Sequence, residues 1–130
     1  MLSITLKEQN MSISKVLVVD DSPVDLQYLK AIVEDAGFQV ITATNGRDAQ
    51  EKAKNQRPDV ILMDVVMEDV DGFEACRNIT KDSTTANIPV LFVTSKNQKA
   101  DQVWGELQGG KGMISKPYTS DQILQALAAV

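Results

Sequence analysis

Short apolar runs rich in β-branched residues recur along the chain, separated by segments with helical spacing. The runs are Lys15-Val16-Leu17-Val18-Val19, Gln39-Val40-Ile41-Thr42-Ala43, Val60-Ile61-Leu62-Met63, Ile88-Pro89-Val90-Leu91-Phe92-Val93 and Gly112-Met113-Ile114-Ser115. The first, third and fourth are continuously apolar, as strands covered on both faces must be. The second alternates more, and the fifth is short and polar at Ser115; both read as sheet edges. Between the runs lie helix signals. Ser22-Pro23 is an N-cap followed by proline, with Asp25 in the first turn, an apolar face at Leu26, Leu29, Ile32 and Val33, and Gly37 as a stop. Asn45-Gly46-Arg47-Asp48 and Asp71-Gly72-Phe73-Glu74 repeat the pairing of a cap with an acid three residues on. Phe73, Cys76 and Ile79 predict the third apolar face, and Val103, Trp104 and Leu107 the fourth. Thr119 or Ser120 opens the last helix, with Ile123, Leu124, Leu127 and Ala128 facing inward.

Strands alternating with helices through short connections predict parallel strands joined by right-handed crossovers. The reading is α/β: a (βα)5 doubly wound, five-stranded parallel sheet in a three-layer sandwich. Residues 1–14, mixed in character and with Met11 just before the first apolar run, are expected to be a flexible N-terminal tail or an upstream start, leaving 15–130 as one domain. At 130 residues and 43% hydrophobic, the chain is not composed like a disordered one. Its formal charge of −5 argues against nucleic acid or an anionic membrane as partner. No apolar run is long enough to span a bilayer, and a cytoplasmic location is expected. The single cysteine, Cys76, excludes an intramolecular disulfide, fits a reducing compartment and reads as a core thiol.

There is no histidine. Ser-His-Asp and Cys-His catalysis and His-ligated zinc are therefore excluded, and any metal must be a hard cation held by oxygen. Ligands of such a sheet bind beyond the carboxyl ends of its strands. Strand 1 ends in Asp20-Asp21, strand 3 in Asp64, strand 4 in Thr94-Ser95 and strand 5 in Lys116-Pro117. Three carboxylates on one rim repel unless a cation lies among them, and Mg²⁺ or Mn²⁺ is the physical choice. A backbone carbonyl after Asp64, at Val66, would complete the protein's share. Metal and Lys116 would clamp phosphoryl charge, Thr94 would be a neutral donor, and Asp64 is the natural nucleophile, forming an acyl phosphate. The plainer readings are a helix-capping pair for Asp20 and Asp21, an ordinary strand threonine and a surface lysine.

Together, Val18-Val19-Asp20-Asp21-Ser22, Ile61-Leu62-Met63-Asp64, Asp71-Gly72-Phe73-Glu74, Val93-Thr94-Ser95 and Lys116-Pro117-Tyr118 resemble the CheY-like receiver domain of bacterial response regulators. The likeness runs through residues 15–130 in order and implies a flavodoxin-like fold. Within the family, the stretch from Thr94-Ser95-Lys96-Asn97-Gln98 to Val103-Trp104-Gly105 resembles the PilH type, regulators of type IV pilus twitching motility. The resemblance implies that Asp64 is the phosphoacceptor of a two-component phosphorelay and that Asp20 and Asp21 hold Mg²⁺. Thr94 and Lys116 would sense the phosphoryl group, which would come from a histidine kinase or phosphotransfer partner. Output would pass to a downstream protein through the face of helix 4, strand 5 and helix 5. The protein would be a switch and not an enzyme, although it would assist its own phosphoryl transfer.

Three departures from the family pattern involve four positions. Met113 stands where a rotating Tyr or Phe is usual, Glu68 where proline is common, and Val66 and Lys96 flank the site with an apolar and a cationic side chain. A flexible thioether offers no hydroxyl and fewer discrete rotamers. Two other functions are therefore weighed: a phosphorylation-independent interaction module on the same fold, and a Mg²⁺-dependent aspartyl phosphatase. The latter wants a second acid where Val66 stands. Trp104 reads either as core or as a partly exposed docking residue, because Val103 and Trp104 cannot both sit at the centre of one buried face.

Overall fold

The computed structural model describes residues 13–130. Its strands are β1 (Lys15–Val19), β2 (Gln39–Ala43), β3 (Val60–Met63), β4 (Val90–Thr94) and β5 (Gly112–Ser115). They alternate with α1 (Pro23–Asp35), α2 (Gly46–Gln56), α3 (Gly72–Lys81), α4 (Lys99–Leu107) and α5 (Ser120–Ala128). All pair in parallel, in the order β2-β1-β3-β4-β5. The edges are the two runs whose patterns predicted edges. β4 begins two residues later than its apolar run, because Pro89 has no N–H to give the ladder; its carbonyl still accepts from Ile61 N at 2.9 Å.

Period-two alternation splits the strands between two cores. Leu17, Val19, Ile61, Met63 and Phe92 face α2 and α3, where Ala49, Ala53, Phe73, Cys76 and Ile79 meet them. Val16, Val18, Val60, Leu62, Leu91 and Val93 face α1 and α5 through Leu29, Val33, Ile123 and Leu127. Of the expected tail, residues 1–12 lie outside the described residues. Ile13 is buried in the second core, and Ser14 is tied in by its N–H to Asp59 Oδ2 (2.8 Å) and by its carbonyl to Gln39 N (2.9 Å).

Two helical faces differ from the sequence reading. Ala128 is exposed; one residue past Leu127, it is rotated about 100° away from the buried Ile123–Leu127 line. In α4, Val103, Trp104 and Leu107 are 49%, 51% and 71% exposed, so none forms a buried face. The helix turns Gly105 to the sheet instead. A Cβ there would lie 2.9 Å from Phe92 Cε2 and 3.3 Å from Phe73 Cε1. Phe92 and Phe73 pack edge to face with centroids 5.1 Å apart, and their rings fill the space that α4 side chains would otherwise occupy.

Cys76 is a core thiol, as expected. Its Sγ–H donates to Gln108 O at 3.4 Å, and burial, opposed only by Lys111, pushes the thiol up to about 12. Gly105→Ala is expected to destabilise the domain although alanine is the better helix former by about 1 kcal/mol. Overpacking against a buried aromatic costs about 1–3 kcal/mol. The urea midpoint should fall; an unchanged or raised midpoint would show that α4 has room to withdraw.

Candidate functional site

The ends of the ladder place the site. Asp20 N donates to Ala43 O (3.2 Å), Asp64 N to Val19 O (3.0 Å) and Lys116 N to Thr94 O (3.0 Å), so each residue hangs one step past its strand on a rigid rung. Because β1 and β3 are neighbours at the switch point, Asp20 and Asp64 arrive side by side. Helix α3 starts against the backbone of Asp64: Gly72 N donates to Val65 O at 2.9 Å, and any Cβ on Gly72 would strike the Asp64 carbonyl.

The carboxylates of Asp20, Asp21 and Asp64 each present an oxygen within 4.8 Å of the other two. Asp20 and Asp64 are buried, whereas Asp21 is exposed. Asp20 Oδ1 accepts from Ser22 N (2.9 Å), and Ser22 Oγ caps α1 by accepting from Asp25 N (3.3 Å). Asp64 Oδ1 accepts from Val65 N (2.8 Å) and Val66 N (3.4 Å). The second oxygens of Asp20 and Asp64 face Lys116 Nζ at 2.8 and 3.3 Å.

Burial raises the Asp20 carboxyl above its ordinary range, aided by the Asp64 charge, while the bonds from Lys116 and Ser22 pull the other way. Burial alone would lower the Lys116 ammonium; the bonds to Asp20 and Asp25 and the charges of Asp64 and Asp20 outweigh it, and the group is raised. Three hard oxygen donors converging around too little positive charge suit an octahedral divalent cation with water in its remaining positions.

The other expected residues lie around this centre. Thr94 is fully buried at the end of β4, and its Oγ1 accepts from Lys96 N at 3.1 Å; among the described residues no hydrogen bond joins it to Asp64. The Lys96 ammonium turns to Asp101 Oδ1 at 3.1 Å. Val66 is exposed, and Met113 packs against the first core beside Phe92. The loop after Asp64 is not wholly solvated. Met67 and Val70 plug the core, while Asp69, in the left-handed region at φ 66°, accepts from Arg47 Nε at 2.6 Å, which holds its carboxyl below the usual range.

One site residue escaped the sequence reading. Asp25, read only as an acid in the first turn of α1, brings Oδ2 to 3.0 Å from Lys116 Nζ. A carboxylate five residues after Asp20, one helical turn from the capping serine, was the signal available.

Residues 16–128 match the family described as the response regulator receiver domain. Protein PilH of Pseudomonas aeruginosa is 44% identical over 117 residues, covering 90% of this chain and 97% of that protein. The chemotaxis protein CheY4 of Vibrio cholerae superposes with a TM-score of 0.86 at 35% identity, over 91% of this chain and 98% of its own. A CheX–CheY–BeF3–Mg²⁺ complex from Borrelia burgdorferi gives 0.85 at 28% identity, over 93% and 92%.

With like charges crowded at the rim, Mg²⁺ is expected to raise the melting temperature by mass action. Asp64→Asn should raise that of the metal-free protein and shrink the Mg²⁺ increment. Wild type and Asp64→Asn melting together without metal would show that the acids do not share one site.

Proposed function

The chain belongs to the response regulator receiver family, and on that premise we propose that Asp64 is its phosphoacceptor, taking a phosphoryl group from a phosphohistidine on a partner kinase or phosphotransfer protein. The family is one of signalling domains, so the product of the transfer is a changed binding surface. The observation that carries the reading is the Asp64 carboxylate itself: buried at the rim, oriented by two backbone N–H groups on Oδ1 and faced by Lys116 on Oδ2.

A carboxylate oxygen of Asp64 forms the new P–O bond as the donor's P–N bond breaks, its electron pair leaving with the imidazole nitrogen. Such a transfer needs positioning and charge neutralisation more than acid–base groups, and suits a rim without histidine. Asp20, Asp21, Asp64 and the Val66 carbonyl would hold a divalent cation, which would neutralise charge on the phosphoryl oxygens; Mg²⁺ is the proposed ion, and Mn²⁺ would satisfy the same donors. Lys116 supplies the second positive charge, and the Thr94 hydroxyl donates to a phosphoryl oxygen once its β4–α4 connection moves inward.

The signal is then proposed to leave through α4, β5 and α5. Thr94 leads into α4 and Lys116 into α5, and the two are linked by the Lys116 N–Thr94 O bond. Gln102 and Glu106 of α4 stand beside Met113 of β5, and the same helix carries the exposed Val103, Trp104 and Leu107. Met113 adjoins a cavity of about 130 Å³ shared with Phe92, Gly105 and Gly110, which gives a flexible side chain room to settle in several arrangements. By likeness to its relatives, the pathway served is proposed to be chemotaxis-like or twitching-motility control in the cytoplasm; among the described residues no helix is long and apolar enough to cross a membrane. Met113 also supports a second reading, an interaction module uncoupled from phosphorylation, for which partner affinity would not change on phosphorylation.

Incubation with Mg²⁺ and acetyl phosphate should add one phosphoryl group by intact mass, and Asp64→Ala should abolish the gain. Modification of Ser22, Thr94 or Ser95 instead would sink the assignment. Trp104 fluorescence should change on adding Mg²⁺ with beryllofluoride, and Thr94→Ala should blunt that change while leaving the mass gain. A silent Trp104 together with unmoved amide resonances over residues 99–118 would place the output elsewhere.

A further inference from the structure

The Lys116 ammonium has three N–H donors and three carboxylate partners: Asp20 at 2.8 Å, Asp25 at 3.0 Å and Asp64 at 3.3 Å. Its hydrogen-bonding capacity is therefore filled before any phosphoryl oxygen arrives. One partner must be given up, and the three are not equivalent. The Asp20 and Asp64 side chains are 4% and 10% exposed, whereas that of Asp25 is 47% exposed. Leaving a buried carboxylate unpaired is costly, while a half-exposed one is rehydrated at little cost. Asp25 is also absent from the group whose oxygens converge within 4.8 Å, so a cation there makes no claim on it.

An open depression lies on the same side. Asp25, Tyr28, Lys116, Pro117 and Tyr118 line it beside the rim, with the two tyrosine rings 5.8 Å apart beyond the ion pair. Water therefore reaches Asp25 more fully than Lys116, whose side chain is 19% exposed.

We propose that Asp25 is a positioning residue: it is the exchangeable acceptor that holds Lys116 at the mouth of the site in the resting protein and yields it to the incoming phosphoryl oxygens. The proposal rests on the reading of Asp64 as phosphoacceptor. In the resting state Asp25 draws the ammonium outward and leaves Asp20 and Asp64 freer to accept a cation. In the phosphorylated state the same residue competes with the phosphoryl group for Lys116. The two ligands should therefore feel its loss with opposite signs.

The test is calorimetric titration of the full chain and its Asp25→Asn variant, first with Mg²⁺ and then, at saturating Mg²⁺, with beryllofluoride. Asp25→Asn should weaken Mg²⁺ binding, because Lys116 falls back on Asp20 and Asp64, and should tighten beryllofluoride binding. Each change is expected to be about threefold, the scale of a half-exposed ion pair. Both should vanish when the substitution is made in a Lys116→Gln background. Shifts of the same sign, as general loosening of the site would give, overturn the proposal, as do shifts that persist without Lys116. A wild type that binds both ligands while Asp25→Asn changes neither overturns the exchange alone. A wild type that binds Mg²⁺ but no beryllofluoride overturns the exchange together with the reading of Asp64.

Discussion

A single ammonium placed among three carboxylates organises the upper rim of this domain. Lys116 Nζ joins the end of β5 to the ends of β1 and β3 and to the first turn of α1. Each of those segments is already held by a backbone rung or a cap, so the charges are fixed before any ligand binds. The Asp20 and Asp64 carboxylates, buried and held by backbone N–H groups, have little room to relieve their repulsion, and Lys116 alone offsets only part of it. What remains is an electrostatic demand for cations, which suits a divalent ion.

The same rim is wired to the rest of the molecule by its geometry. Thr94 and Lys116 occupy neighbouring strand ends that share a hydrogen bond, and each opens directly into a helix. Below them the packing is unusual: α4 approaches β4 through a glycine, and the aromatic bulk lies in Phe92 and Phe73 and not at position 113. A helix seated on Gly105 buries little side chain of its own. Its Val103, Trp104 and Leu107 remain exposed, and it meets the core closely through Gly105. The neighbouring Met113 packs against the same core beside Phe92.

Much of this was legible from residue order. Continuous apolar runs gave the inner strands and weaker runs the edges, since burial on two faces leaves no place for polar side chains. The position of Asp20, Asp21, Asp64, Thr94 and Lys116 at strand ends brought them to one rim, because parallel crossovers put every carboxyl end on the same side. The face of α4 was not legible. Periodicity reports where apolar residues recur, but not that a glycine can be the buried position when a partner strand supplies the ring that fills the gap.

Asp25 marks the same boundary between the two kinds of information. By sequence alone it is an acid in a first helical turn, a local role that its neighbours explain completely. Its meeting with Lys116, 91 residues away, depends on how α1 leaves β1 and how the β5–α5 turn leans toward it. The sequence by itself determined the fold class, the strand ends and the chemistry gathered there, because these follow from local pattern and from the handedness of the crossovers. Tertiary structure alone decided how one lysine is shared among three acids and which side of α4 meets solvent, because both turn on ångström distances between segments remote in the chain.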